Sequence, residues 1–232
     1  MIPAETSGIV PVHNEARFLD RVLDAIERQS RPLDELVLVF DACTDGSELR
    51  FRDRSDRAIS VRVRNTSAAV RAGIAAASNP LLVLLDGNTV VPADCVERLV
   101  GTLERERADL VEWHGGVMLV PRPTLGTFGP FSDMHLWTLE YFLRVEGMGG
   151  KVVRLRGSHR RLRRSPLTRN LRYGLDYADL SIRYGLAPFF RVGTKSGPLP
   201  DLVALGGAGL GHLRRRNLGR ALRRTVAELR RS

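Results

Sequence analysis

The chain has 232 residues, with 36 Lys+Arg, 26 Asp+Glu, five His, two Cys, a formal charge of +10 and 43% hydrophobic residues. That length and balance describe one globular domain with at most a small appendage, and they exclude wholesale disorder. Two distant cysteines exclude a disulfide framework and a zinc spacing, no apolar run approaches a membrane span, and no basic-then-apolar leader opens the chain; the expectation is a cytoplasmic domain.

The first hundred residues alternate strand-like and helix-like segments. Residues 7–12 are short and apolar and end at His13-Asn14-Glu15. From Ala16 the apolar positions Phe18, Leu19, Val22, Leu23 and Ile26 fall at helical spacing, and Arg31-Pro32 breaks the helix. Residues 35–40 form a continuous aliphatic run, as expected of a strand buried on both faces, and stop at the turn-rich segment 41–46. Residues 60–63 are a third strand, 67–77 an Ala-rich helix, 81–85 a fourth strand closing on Asp86-Gly87-Asn88. Residues 92–107 are again helical and 109–113 strand-like. Beyond Val120, prolines and glycines at 121, 123, 126, 129 and 130 read as loops, and 134–145 as an aromatic-rich helix. Residues 147–175 show weak periodicity, 179–184 are helical, 193–211 are a Gly/Pro-rich connector and 217–230 an amphipathic helix.

Repeated β–α units imply a mostly parallel sheet with helices on both faces, whose ligand site lies beyond the carboxyl ends of the strands. Residues 13–15, Asp41, Arg64-Asn65 and 86–88 all follow strands, so the topology brings four polar clusters to one edge.

The positive charge is uneven. Residues 1–150 hold 16 arginines and no lysine against 22 acids, whereas the last 82 residues hold 18 arginines and both lysines against four acids. Eight of these arginines fall between Arg154 and Arg172. Such a stretch suits an anionic acceptor, a phosphate-bearing lipid carrier or a membrane surface, and a basic amphipathic tail can lie on anionic lipid or pack back on the domain. Nucleic-acid binding through phosphate contacts is the remote alternative, disfavoured because no helix-turn-helix, zinc-finger or RRM signature appears.

The order and spacing of several motifs resemble one family. They are I-V-P-V-H-N-E-A at 9–16, E-L-V-L-V-F-D-A-C-T-D-G at 35–46, R-N-T-S-A-A-V-R-A-G-I-A-A-A at 64–77 and L-V-L-L-D-G-N at 82–88. D-Y-A-D-L-S-I-R at 176–183 is similar to an acidic segment found later in the same proteins. Together they resemble family-2 glycosyltransferases of the GT-A fold over residues 7–216, most closely in the first hundred. The resemblance implies an α/β, GT-A-like catalytic domain over 1–216, with a nucleotide-sugar-binding half (1–115), an acceptor-side half (116–216) and a basic helical tail (217–232). It implies a transferase that moves a sugar (a hexosyl group) from a nucleotide-diphosphate donor, with inversion, to a sugar, phosphate-bearing or lipid-linked acceptor. Peripheral contact with an anionic membrane goes with that acceptor.

Residue by residue, the resemblance implies that Pro11, Glu15 and Asp41 hold the nucleoside, that Arg71 faces the diphosphate, and that Asp86 and Asn88 stand at the family's D-x-D. A divalent Mg²⁺ or Mn²⁺ would sit with Asp86, Asn88 and His212. Asp176 or Asp179 would take the acceptor proton, and Trp113, Trp137 and His159 would line the acceptor side. Such chemistry needs positive charge where the leaving diphosphate develops its own, and a carboxylate for the proton.

Two departures matter. Asn88 replaces the second acid of D-x-D, which lowers the charge available to a hard cation and predicts weak metal affinity. Tyr177 stands where the family's usual base is found, and a phenol titrating at about 10 is poorly suited to accept a proton at neutral pH. A nucleotide-sugar-binding paralogue with impaired catalysis is therefore the alternative reading.

Overall fold

The computed structural model describes residues 4–113 and 117–162, together with 173, 175–177, 179–180 and 183–184. The chain divides into two compact units, Met1–Asp133 with Trp137–Arg163, and Met134–Leu136 with Arg164–Ser232. The expected tail helix, the 193–211 connector and His212 lie outside the described residues.

The first unit is built on a seven-stranded sheet. Its strands are β1 (Thr6–Val12), β2 (Glu35–Asp41), β3 (Arg57–Val61), β4 (Leu81–Leu84), β6 (Leu110–Trp113), β7 (Val117–Pro121) and β8 (Val152–Leu155), and β5 (Thr89–Val90) lies apart from it. The order across the sheet is β3-β2-β1-β4-β7-β6-β8. β1 pairs in parallel with both β2 and β4, β2 with β3, and β6 with β8; β7 runs antiparallel to both of its neighbours. The chain therefore winds outward from β1 to β3 and then returns to the other side of β1. The gap between β1 and β4 is the reversal point at which such sheets open a ligand crevice.

Every residue of β2 is buried, as a strand covered on both faces requires. On one face Val10, Val12, Leu38 and Phe40 pack with Leu23 of α1 (Leu19–Glu27) and Leu99 of α4 (Cys95–Glu106). On the other, Ile9, Val39 and Leu84 meet Val70 of α3 (Thr66–Ala76) and Tyr141 and Val145 of α6 (Trp137–Gly147). Alternate residues of each strand thus feed two separate cores. α1 keeps Leu19, Val22, Leu23 and Ile26 buried, one stripe at i, i+3, i+4 and i+7.

Three expectations shift. β3 lies at 57–61 rather than 60–63, because the Asp41 carboxylate collects the next backbone N–H groups and ends the strand. The loop expected at 121–130 contains α5 (Arg122–Phe128), whose proline stands in the first turn, where its missing N–H costs nothing. β7 and β8 were not expected as strands. A short ribbon, β5 with β9 (Arg160–Arg161), completes the unit.

Candidate functional site

The carboxyl ends of β1, β2 and β3 share a backbone feature. Asn14, Ala42 and Arg64, each just past a strand, have φ of 55°, 49° and 47°. Non-glycine residues in that region carry strain of order 1 kcal/mol or more, and such residues cluster where structure serves a ligand.

Asp41 explains how the turns are held. Its Oδ1 accepts the backbone N–H of Val63 and of Arg64, both at 2.9 Å, and its Oδ2 that of Asn65 at 3.1 Å. Asp41 is 4% exposed, so its carboxylate shapes the β2–β3 edge of the pocket through the backbone it gathers. The Asp41 carbonyl lies 2.6 Å from His13 Nδ1, and Thr44 N–H donates to Asn14 Oδ1 at 2.7 Å. The β1 and β2 turns are thereby fastened together. Asp45 ties the start of the next helix, α2 (Ser47–Phe51), to the β1 turn, accepting Ser47 N–H at 3.0 Å and Ala16 N–H at 2.8 Å. Burial pushes its pKa up, but the Ser47 hydroxyl and these N–H groups outweigh burial and hold it below the ordinary value. Cys43 is shifted the other way, upward, by burial together with Asp45, Glu48 and Asp41 nearby, against a bond from Asn14. That shift disfavours the thiolate, the form a nucleophilic cysteine needs.

On the other side of β1, Pro11, Glu15 and the 86–88 turn meet. A Cβ on Gly87 would stand 2.9 Å from the Pro11 carbonyl and 3.7 Å from Glu15 Cγ, so only glycine lets the turn come this close. Glu15 is 6% exposed and its Oε1 accepts from Asn88 Nδ2 at 3.3 Å. With the amide nitrogen turned to the carboxylate, Asn88 Oδ1 is buried with no hydrogen-bond partner. Asp86 Oδ2 is 3.2 Å from Arg161 Nη2. Pro11, Glu15, Asp41, Asp86 and Asn88 are thus brought to one edge, at the reversal point of the sheet.

The sequence of residues 7–115 matches the profile of Glycosyl transferase family 2. That segment is just under half of the chain. Among curated proteins, the chain is 31% identical over 116 residues to the uncharacterised glycosyltransferase EpsJ of Bacillus subtilis, covering 48% of this chain and 33% of that one. It is 29% identical over 142 residues to the glycosyltransferase AglE of Haloferax volcanii, covering 56% and 46% respectively. The chain thus spans less than half the length of these relatives. Among solved structures, it superposes on glucosyl-3-phosphoglycerate synthase from Mycobacterium tuberculosis, in complex with Mn²⁺, UDP and glucosyl-3-phosphoglycerate. The TM-score is 0.68 at 21% identity, over 80% of this chain and 82% of that one. The mannosyltransferase PcManGT from Pyrobaculum calidifontis, in complex with GDP-Man and Mn²⁺, gives 0.68 at 18% identity, over 99% and 81%. The fold shared with these proteins is GT-A.

Several expected site residues turn out to be engaged elsewhere. Arg71, expected to face the diphosphate, donates to the Phe131 carbonyl at 2.8 Å, pairs with Asp133 at 2.5 Å and bonds Ser67 one turn back. It clamps the 131–133 segment onto α3. Trp113, expected on the acceptor side, has no exposed surface. Arg98 covers its ring at 4.7 Å, its N–H donates to the Ser158 carbonyl, and a Cβ on Gly157 would strike the indole at 1.9 Å. The ring is a floor for the 156–159 segment and has no face open to a sugar. Trp137 is 8% exposed and meets Phe131 edge-on at 4.9 Å, so it too packs in the core. His159 is half-buried in the segment that Trp113 supports.

In the second unit, Asp176 Oδ2 accepts the backbone N–H groups of His135 and Leu136, the latter at 2.9 Å, and lies 3.7 Å from His135 Nδ1. Asp179 pairs with Arg183 at 3.4 Å, one helical turn on. Tyr177 is buried. Among the described residues no three His, Cys, Asp or Glu side chains gather as metal ligands. Sequence reasoning missed Arg161 as a site residue. Within an arginine-rich stretch nothing distinguishes it, and its position comes from pairing with a strand 70 residues earlier.

Proposed function

We propose that the protein transfers a sugar from a nucleoside-diphosphate donor to an acceptor hydroxyl, inverting the anomeric centre. The observation that carries this reading is the convergence of Glu15, Asp86 and Asn88 at the β1–β4 reversal, beside strained turns fastened by Asp41. In a single displacement the acceptor oxygen forms a bond to the anomeric carbon while the bond from that carbon to the β-phosphate oxygen breaks. The bonding electrons leave with the diphosphate, and the acceptor proton passes to a carboxylate, Asp176 or Asp179 by family resemblance.

The likeness to structures containing Mn²⁺ raises the question of a metal here. The residues at the 86–88 turn do not fit a resident ion. Asp86 is engaged by a guanidinium, and Asn88 supplies an oxygen without charge. Any Mg²⁺ or Mn²⁺ would be held mainly by the diphosphate, with weak affinity for the protein alone.

The acceptor in this reading bears phosphate. The arginines of 154–172 suit it, and the mycobacterial neighbour is in complex with a phosphorylated acceptor product. Peripheral contact with anionic membrane at the cytoplasmic face belongs to the same proposal, and flotation with vesicles of anionic lipid tests it. A catalytically impaired, nucleotide-sugar-binding protein is the second reading, favoured by Asn88 and by a buried Tyr177 at the base position.

The test is a calorimetric panel of nucleotide sugars followed by a transfer and hydrolysis assay. Binding with turnover supports the transferase, and binding without either reaction supports the second reading. A silent panel removes both. Asp176→Asn is expected to lower turnover by at least ~100-fold with donor affinity retained, if that carboxylate is the base; full turnover would assign the role to Asp179.

A further inference from the structure

The segment that meets the Asp86-Gly87-Asn88 turn starts at the edge of the sheet. β8 ends at Leu155, opposite Trp113 of β6, and the chain then crosses the Trp113 ring. By Arg160 it has become β9. Arg160 pairs with Val90, Arg161 with Thr89, and Leu162 N–H donates to the Asn88 carbonyl at 2.8 Å. Residues 156–162 are thus a strap between the edge strand and the turn that carries Asp86 and Asn88.

The strap rests on Trp113 with almost no clearance. A Cβ on Gly157 would stand 1.9 Å from Trp113 Cζ2, 2.1 Å from Cε2 and 2.7 Å from Cη2. Carbon atoms settle about 3.5–4 Å apart, so a methyl group there must lift the strap by about 1.5 Å or displace the ring. The ring is held fast. It is fully buried in the core that α4 shares, and Arg98, itself paired with Asp94 at 3.5 Å, lies over it at 4.7 Å. The indole N–H donates to the Ser158 carbonyl at 3.3 Å, and Arg98 Nη2 reaches the Arg156 carbonyl at 3.5 Å. The backbone at 156, 157 and 158 is therefore set by the indole and the arginine beside it. Its height over the ring fixes where β9 meets β5, and with it the backbone of Asn88. Misplacement of about 1 Å in such supporting structure can lower catalysis roughly 100-fold.

We propose that Trp113 and Gly157 are positioning residues for the donor. The ring and the missing side chain together seat the strap, and the seated strap holds the 86–88 turn in the shape that takes a nucleoside-diphosphate sugar. The inference rests on the nucleotide-sugar reading above and adds to it a determinant that lies outside the turn. Trp113 then serves the site from beneath the strap, without touching a sugar.

Calorimetry of the full chain with UDP, GDP, CDP and dTDP in excess Mn²⁺ tests this. For the nucleotide that wild type binds, Gly157→Ala is expected to weaken affinity by about tenfold or more while the melting curve stays cooperative. Gly150→Ala is the control for loosening alone. A Cβ there would stand 2.6 Å from Phe128 Cζ and from Val145 Cγ1, a comparable crowding beyond the other end of β8. That variant is expected to lower the melting temperature and to leave affinity within about twofold of wild type. Trp113→Phe trims the part of the ring that the methyl strikes, so adding it to Gly157→Ala is expected to recover most of the lost affinity. Unchanged affinity in Gly157→Ala, an equal loss in Gly150→Ala, or no recovery in the double variant overturns the inference and leaves the glycosyltransferase reading standing. If Gly157→Ala does not melt cooperatively, Trp113→Phe alone carries the test, since it gives up the N–H bond to Ser158. A weakening of about threefold then supports the inference, and wild-type affinity overturns it. No response of the wild-type chain to any of the four nucleotides overturns both.

Discussion

At the scale of single residues, the site is held by backbone groups more than by side-chain pairs. Asp41 shows why: one carboxylate satisfies three N–H groups that would otherwise be left at the end of a sheet. Asp41→Asn puts an N–H donor where one of those acceptors stood. Chemical denaturation is expected to show a loss of about 2 kcal/mol, and calorimetry a loss of nucleotide affinity as the turn opens. Ala42 makes the opposite case. At φ 49° its Cβ is a liability that glycine removes. Ala42→Gly is expected to raise stability by about 0.5–1 kcal/mol, with nucleotide affinity unchanged. A fall in the melting temperature would show that the strain is not borne at this residue.

At the scale of elements, Asn65 accepts Ala68 N–H at 3.0 Å and so caps α3, while its amide donates to the Asp133 carbonyl. Asn65→Ala is expected to cost about 1 kcal/mol, read from the urea midpoint. The parallel half of the fold was legible in the sequence because its elements carry their own patterns: an unbroken aliphatic run for β2, an i, i+3, i+4 stripe for α1, and Pro32 and Pro80 after α1 and α3. α5 was not, since Pro123 reads as a loop signal unless it happens to stand in a first turn. β7 was hidden for a different reason. Its V-M-L-V run is short, and only the preceding Gly115-Gly116 hints at a hairpin. For the site, Glu15, Asp86 and Asn88 could be read from position after strands. Arg161 could not, because strand pairing across 70 residues leaves no local trace. The aromatic residues misled, since Trp113 has the composition of a sugar platform and the surroundings of a core residue.

For the whole molecule, the far edge of the sheet has its own charged fastening. Glu35, at the start of β2, accepts from Ser7 Oγ at 2.5 Å and from Ser78 N–H at 2.7 Å, and lies 3.8 Å from Arg57. Burial raises its pKa, but the serine bonds and Arg57 outweigh burial and bring it below its ordinary 4.5. A carboxylate lowered by folding stabilises the protein above its unfolded value, and that contribution is lost as pH falls through the folded value. Thermal melting is therefore expected to weaken below about pH 4.5, from the unfolded value downward. Glu35→Gln should lie lower at neutral pH and converge on wild type in acid. Parallel curves would remove Glu35 from the account.

The antiparallel strand β7 sets an order on how the protein is made. The family-matched segment ends at residue 115, yet β7, which starts at Val117, is the partner that separates β4 from β6. On the ribosome, β4 must wait with an unpaired edge until some forty more residues have emerged, and β6 waits for β8 later still. The recognisable part of the chain is therefore not the part that can fold alone. A fragment released at residue 115 would keep the motifs of the first hundred residues and still expose a fully aliphatic strand edge, the kind of surface that joins copies to one another.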